Sequence, residues 1–349
     1  MAAAIRAANP PGLDWIWAGL RWLELPREGI IQNSLAWTPR SRASTLHCKA
    51  IQTFSIQEGC ERGHRMIVVE EKGARSESLL IIRQTDHAFL AAFFAREWGN
   101  EKFSKPQPNV SFCLAVAEHD NGWSDWELQP TLDAKTHLPY SFMSIPTETH
   151  IAIYQHGIER LVKVDYYAGL LAALHASELY DRARATMPGY SAKYVKTGES
   201  QLADEFVQKL RLQQLRLKTD LRANSAMKGY AAEPLLKINN ARLEVMDRLS
   251  LHFCMNPQQD VMLDAVPVND EGDETDMELH TEGAGVTTVA PYPFRRDPLV
   301  VSIMARRVAK KIYSGDQEFQ KALAAAQYFP VKFTLRERRA SGFSHMAAM

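Results

Sequence analysis

The chain has 349 residues, long enough for two average domains or one large decorated one. Lys plus Arg and Asp plus Glu balance at 41 each, so the formal net charge is zero. That balance argues against the broad basic face of a nucleic-acid binder and against an acidic disordered solubiliser. Four scattered cysteines, Cys48, Cys60, Cys113 and Cys254, form no CxxC pair, which speaks against a disulfide framework or a cysteine zinc site. No apolar run has the length to cross a bilayer, and the opening MAAAIRAANPPGLDW lacks an uninterrupted apolar signal core. The expectation is a cytoplasmic protein acting on a small molecule, with no membrane or nucleic-acid partner and with its oligomeric state open.

The first 65 residues hold Trp15, Trp17, Trp22 and Trp37, four of the seven tryptophans, in a weakly patterned stretch. Residues 14 to 24 have the pattern of one short amphipathic helix, and the segment reads as an N-terminal extension, poorly ordered or used in docking. From Met66 the pattern sharpens. MIVVEE and SLLIIRQ read as two strands around the turn-like KGARSE. DHAFLAAFFAREWGN is helix-like and stops at Gly99-Asn100. NVSFCLAVAEHDNGW is an apolar helix with polar groups at its end. TETHIAIYQHGIERLVK starts well with Thr147 and Glu148 and places Ile151, Tyr154, Ile158 and Leu161 on one face. DYYAGLLAALHASELYDRA is apolar nearly all round, so it belongs at the centre. A long charged helix follows over ESQLADEFVQKLRLQQLRLKTDLRA, and LLKINNARLEVMDRLSLHFCM is the last strong one. The acidic stretch NDEGDETDMELH reads as a solvated loop. AGVTTVAPYPF, PLVVSIMARRV and VKFTLRER read as strands. The resulting fold class is mainly α: a helical core over 84–256 with a small β-rich appendage, one domain over 66–337, and a tail over 338–349.

The chemistry-bearing residues sit in that core. His87 lies early in its helix, His119 and Asp120 are adjacent at a helix end, His150 opens another helix, His175 is midway along the most apolar one, and Asp247 is within the last. Alone, each has a bland reading as a satisfied core histidine or a half-exposed carboxylate. Together they form a set of imidazoles and carboxylates suited to first-row divalent ions. A histidine followed by aspartate at a helix end can send both groups to one point, and a carboxylate has two oxygens with which to bridge two ions. Asp247 and His175 lie in apolar helices, where an unpartnered polar group is costly.

The order His, His-Asp, His, His, Asp over successive helices resembles the HD-domain superfamily of metal-dependent phosphohydrolases. Residues 66 to about 337 more closely resemble an uncharacterised bacterial family within or near that group. The supporting pieces are Gln84-Thr85-Asp86-His87-Ala88, Trp98-Gly99-Asn100, Ala117-Glu118-His119-Asp120-Asn121-Gly122-Trp123, Asp247-Arg248-Leu249-Ser250-Leu251 and Pro291-Tyr292-Pro293-Phe294. The resemblance implies an HD-like helical bundle. It implies a first metal on His87, His119, Asp120 and Asp247, and a second on His150 and His175 bridged by Asp120, with His156 as the substitute for His150. Two divalent ions are expected, from manganese, iron, zinc and magnesium, with Asp120 and His119 as the catalytic pair. There is no second His-His pair of the kind found in cyclic-dinucleotide phosphodiesterases.

Hydrolysis of a phosphate ester or related small substrate is the leading expectation. Arg306, Arg307 and Lys310 are then candidates for a phosphate clamp, and Asp86 for orienting a ligand from behind it. A di-iron oxygenase would use the same ligands. A metal-stabilised binding module, presenting Trp123 and Trp126, is the non-enzymatic alternative.

Overall fold

The computed structural model describes residues 66–71, 77–184, 198–255 and 257–339, all within the compact unit Gln52–Met349. The expected N-terminal extension, and all of the expected tail beyond residue 339, lie outside the described residues.

Eight helices and seven strands follow one another along this part of the chain. The hairpin β1 (Ile67–Glu70) and β2 (Ser78–Ile82) leads into α1 (Gln84–Glu97), α2 (Asn109–Glu118) and the short α3 (Trp123–Leu128). Then come α4 (Thr147–Val162), α5 (Tyr166–Arg184), α6 (Ser200–Ala223) and α7 (Glu233–Met255). The chain ends with β3 (Val261–Pro267), β4 (Glu274–Gly283), β5 (Val286–Ala290), β6 (Leu299–Ala309), α8 (Asp316–Ala325) and β7 (Tyr328–Glu337).

The expectation of a mainly α, HD-like helical bundle with a small β-rich appendage is corrected. Helix accounts for 47% and strand for 23% of the described residues, and the seven strands form one curled sheet, a half-barrel. Its order is β1-β2-β6-β7-β5-β4-β3, antiparallel throughout except where β5 and β7 run parallel. The sheet is too large, and too deeply joined to the helices, to be an appendage. Along β6, Leu299, Val301, Ile303 and Ala305 are buried while Val300, Ser302 and Met304 alternate outward, the period of a strand with one face on a core. A chain of aromatic rings carries that core across the boundary. Phe94 of α1 lies 5.9 Å from Phe253 of α7, which lies 5.1 Å from Phe333 of β7. Helices and sheet therefore bury their apolar faces against each other, as two layers of one core.

The acidic stretch is corrected as well. Residues 274–283 form β4, paired antiparallel to β3 and β5. Met277 and Leu279 point inward while the acidic groups take the opposite face or the rim, so alternation had been disguised as a charge run. Strand β3 and helix α8 had no counterpart in the sequence reading.

Two of the sequence pieces, far apart in the chain, turn out to clasp each other. Gly99 has a φ of +112°, a left-handed value that favours glycine. Its N–H donates to the Pro293 carbonyl at 3.0 Å, and the Asn100 amide donates to the Tyr292 carbonyl at 2.8 Å. Trp98 and Phe294 form a β-bridge. The buried Glu97 carboxylate accepts from Arg295 at 2.9 Å and from Arg296 at 2.8 Å. Burial would raise its pKa, but the two guanidiniums outweigh this and lower it. The Trp-Gly-Asn and Pro-Tyr-Pro-Phe pieces are thus a structural clasp between the end of α1 and the approach to β6. Cys113 and Cys254 are buried free thiols.

Candidate metal centre

Four helices deliver the candidate ligands to one buried point. Helix α1 brings His87, the end of α2 brings His119 and Asp120, α5 brings His175, and α7 brings Asp247. The start of α1 is held from outside. Among the described residues its cap position, Arg83, makes no side-chain capping bond. Instead Glu127 of α3 accepts from the Gln84 N–H at 2.5 Å and the Thr85 hydroxyl at 2.8 Å. A carboxylate at a helix N-terminus satisfies donors that the helix leaves open. Burial pushes the Glu127 carboxyl up to about 8 despite those donors. This bond joins the segment bearing His87 to the one bearing His119 and Asp120.

The turn after Asp120 is fixed by close packing on α4. A Cβ on Gly122 would collide with the Ile153 carbonyl oxygen. A Cβ on Gly157 would lie 2.6 Å from Asn121 Oδ1 and 2.8 Å from Gly122 N. The two glycines let the loop backbone press directly on the helix. Arg160 then donates to the Asn121 carbonyl at 2.5 Å and to Ser124 Oγ at 3.0 Å, holding the turn in place.

Within the cluster, His87 Nε2 lies 2.8 Å from Asp120 Oδ2 and Nδ1 lies 3.0 Å from Ser250 Oγ. The His119 Nδ1–H donates to the Val116 carbonyl at 2.8 Å, which turns Nε2 toward the carboxylates. That Nε2 stands 3.4 Å from Asp247 Oδ1 and 3.6 Å from Asp120 Oδ2. His175 Nε2 is 4.0 Å from Asp247 Oδ2, and the His119 ring lies edge-on to both His87 and His175, with centroids 5.2 Å apart. His87, His119 and Asp247 each offer one ligand atom, and the three lie within 4.8 Å of one another.

The electrostatics favour a positive charge between the two carboxylates. Burial would lower His119, but Asp120 and Asp247 outweigh it and hold the imidazole at about 9. Burial would raise Asp120 and Asp247, but the surrounding histidines hold both below the usual carboxylate range. His175, farther from the carboxylates, is lowered by burial.

His150 stands apart from this cluster. Its Nδ1 lies 2.6 Å from the Tyr180 hydroxyl, and its ring contacts Trp123 and Tyr154 at 5.6 and 4.8 Å. The group that reaches Asp120 from α4 is instead Tyr154, whose hydroxyl donates to Oδ1 at 2.9 Å. His156 is half-exposed and pairs with Asp125 at 3.2 Å, outside the cluster. The clamp candidates are engaged elsewhere: Arg307 with Glu71, Lys310 with Glu70, and Arg306 with the Leu323 carbonyl. Asp86 is held by Arg83 through two bonds of 2.8 Å. Trp123 is buried and stacks edge-on with Trp126 at 5.9 Å, which makes it packing rather than an outer surface.

Four supporting residues escaped the sequence reading as site members: Gln84, Tyr154, Ser250 and Glu127. Three carried a usable signal. Gln84 is three residues before His87, Tyr154 four after His150, and Ser250 three after Asp247, the spacings that share a helix face. Glu127 had none, because its partner lies 43 residues away.

Fold and site together describe a mixed helix-and-sheet protein with a buried centre of three clustered histidines and two aspartates. The chain belongs to the family described as "Protein of unknown function (DUF3891)", which matches residues 66–310. No curated protein and no solved structure matches it.

Proposed function

We propose that the chain is a metal-dependent hydrolase of a small substrate, with a divalent ion held by His87, His119, Asp120 and Asp247. The observation that carries this reading is the orientation of His119. Its Nδ1–H is fixed on a backbone carbonyl while Nε2 faces two buried carboxylates, the arrangement by which outer partners orient a ligating imidazole. The pull of those carboxylates for a cation is met by a proton on His119 when no ion is bound. A divalent ion would replace that proton, since ligands bind metals deprotonated. These donors fit manganese, iron or zinc, and magnesium less well because imidazole suits the softer ions.

A bound ion supplies the acidity that makes water a nucleophile near neutral pH. The chain's own groups set the rest. Asp120 is steered by Tyr154 on one oxygen and His87 on the other, so it is placed to hold the ion and to accept a proton beside it. His175 flanks the same point. One ion is the expectation, because the tightest group of donor atoms comes from His87, His119 and Asp247, and His150 is not among them. A phosphate ester is the substrate class implied by the resemblance to HD-domain enzymes. Among the described residues no Arg or Lys lines the cleft at this centre, so a phosphate group there would rely on the ion for its countercharge.

Elemental analysis of the full chain, purified without chelator beside Asp120→Ala, tests the reading. About one equivalent of metal in the wild type, largely lost in the variant, is the expected result. Two equivalents would restore the bridged pair that the sequence suggested, and iron as the main ion would turn the reading toward oxygenase. A well-folded wild type that takes up none of these ions overturns it.

A further inference from the structure

The polar side chains lining the cleft at the centre are Gln84, His87, Asp120, Tyr154, His175 and Asp247. The cleft's free space is about 10 Å³, about the size needed for one water. One polar lining residue has no part in the reading above. Gln84 is 2% exposed, and its Oε1 has no hydrogen-bond partner among the described residues. A buried amide oxygen left without a donor costs stability, so such an atom calls for a partner.

Its placement is not loose. Gln84 opens α1, three residues before His87 and so on the same helix face. Its backbone N–H is tied to the buried Glu127 carboxylate. Its side chain therefore has a fixed root beside the cluster, on a cleft whose other polar walls are His87, Asp120, Tyr154, His175 and Asp247.

We propose that Gln84 is a positioning residue for the reacting water: its Oε1 accepts a hydrogen from a water in the cleft and sets that water's orientation beside the ion site. This rests on the metal-dependent reading and adds to it the residue that orients the nucleophile. An acceptor at that spot holds a neutral O–H donor and repels a small anion that competes for the same place.

The test uses the full chain loaded with cobalt(II) alone and titrated with azide, read by the visible absorption of the cobalt. Gln84→Met keeps the length of the side chain and removes the acceptor, while Gln84→Glu keeps the shape and adds charge. Azide is expected to bind about tenfold more tightly to Gln84→Met than to the wild type, and more weakly to Gln84→Glu. Cobalt affinity in Gln84→Met should stay within about threefold of wild type, which separates water positioning from ion holding. Equal azide affinities in all three proteins, or weaker binding in Gln84→Met, overturn the role of Gln84 while leaving the metal centre standing. A wild type that binds no cobalt removes both. If Gln84→Met does not fold, the near-isosteric Gln84→Glu carries the comparison, and unchanged azide affinity there overturns the proposal.

Discussion

His119 is the residue on which the electrostatics of the centre turn. Its imidazole is held at about 9, against an ordinary 6.5, so in the ion-free protein it contributes stability fully below pH 6.5 and loses it as pH rises through 9. Asp120 and Asp247 act in the opposite direction. Both are held low, so their contribution is present above the ordinary value of 3.8 and is lost as pH falls. The lowered His175 subtracts stability below 6.5, where its unfolded counterpart gains a proton. The ion-free chain is therefore expected to lose up to about 3 kcal/mol between pH 6.5 and 9.5, measured by urea unfolding in chelator. Part of the loss below pH 8 belongs to Glu127, whose buried carboxyl is also held up, to about 8. In His119→Gln the loss should therefore vanish only between pH 8 and 9.5, and persistence of the same slope there would show that another group controls it. At this scale much could be read in advance. His87, His119, Asp120, His175 and Asp247 stand together, and each was visible as a polar residue in an apolar helical setting. His150 was not separable from them by that criterion. Its partner Tyr180 lies 30 residues on, in the central helix, and the pattern does not specify which side of that helix meets His150.

At the scale of elements, the centre depends on how tightly a loop meets a helix. The contact of Gly122 and Gly157 brings the turn after Asp120 onto α4, and no side chain longer than hydrogen fits there without displacing backbone. Gly157→Ala is expected to cost about 1–3 kcal/mol, the usual cost of overpacking. Because the strain falls on Asn121, next to Asp120, metal content should drop as well. Calorimetric melting and elemental analysis of the same sample test the two effects, and a destabilised variant with full metal content would uncouple the glycine contact from the centre. Helix boundaries were legible from apolar spacing and from starts such as Thr147. The strands β3 and β4 were not: the burial of β3 does not alternate, and in β4 charges at alternate positions hide a period of two when they also crowd the neighbouring loop. Residues 269–273 show how: Asn269 Oδ1 accepts from the backbone N–H groups of Glu271, Gly272 and Asp273, making a tight turn between β3 and β4.

For the whole molecule, the shared core decides what unfolds with what. Phe253 touches Phe94 on the helical side and Phe333 in the sheet. Phe253→Ala is expected to cost about 3–5 kcal/mol through the cavity it leaves. Both layers should melt together, and amide exchange should show α7 and β7 losing protection in step. Protection lost from the sheet alone would restore the picture of an appendage. Among the described residues no helix is long and apolar enough to cross a membrane. The extent of the sheet was the least legible property. Which strands pair is settled by contacts as distant as β2 with β6, where Leu80 faces Arg307. Local periodicity identifies a strand without identifying its neighbours.

If the proposed ion binds, the positions of its candidate ligands along the chain set the time at which it can be caught. His87 and Asp247 are separated by 160 residues (247 − 87), so a growing polypeptide offers His87, His119 and Asp120 long before the last carboxylate leaves the ribosome. Closing that distance is among the slower steps of assembly, because long-range contacts wait on loop closure. On the proposed reading, full chelation would follow the docking of α7 and stabilise the finished fold by mass action. A cell short of the ion would accumulate complete but less stable copies, which quality-control proteases remove faster. Its supply of the metal would then be visible in the lifetime of the protein.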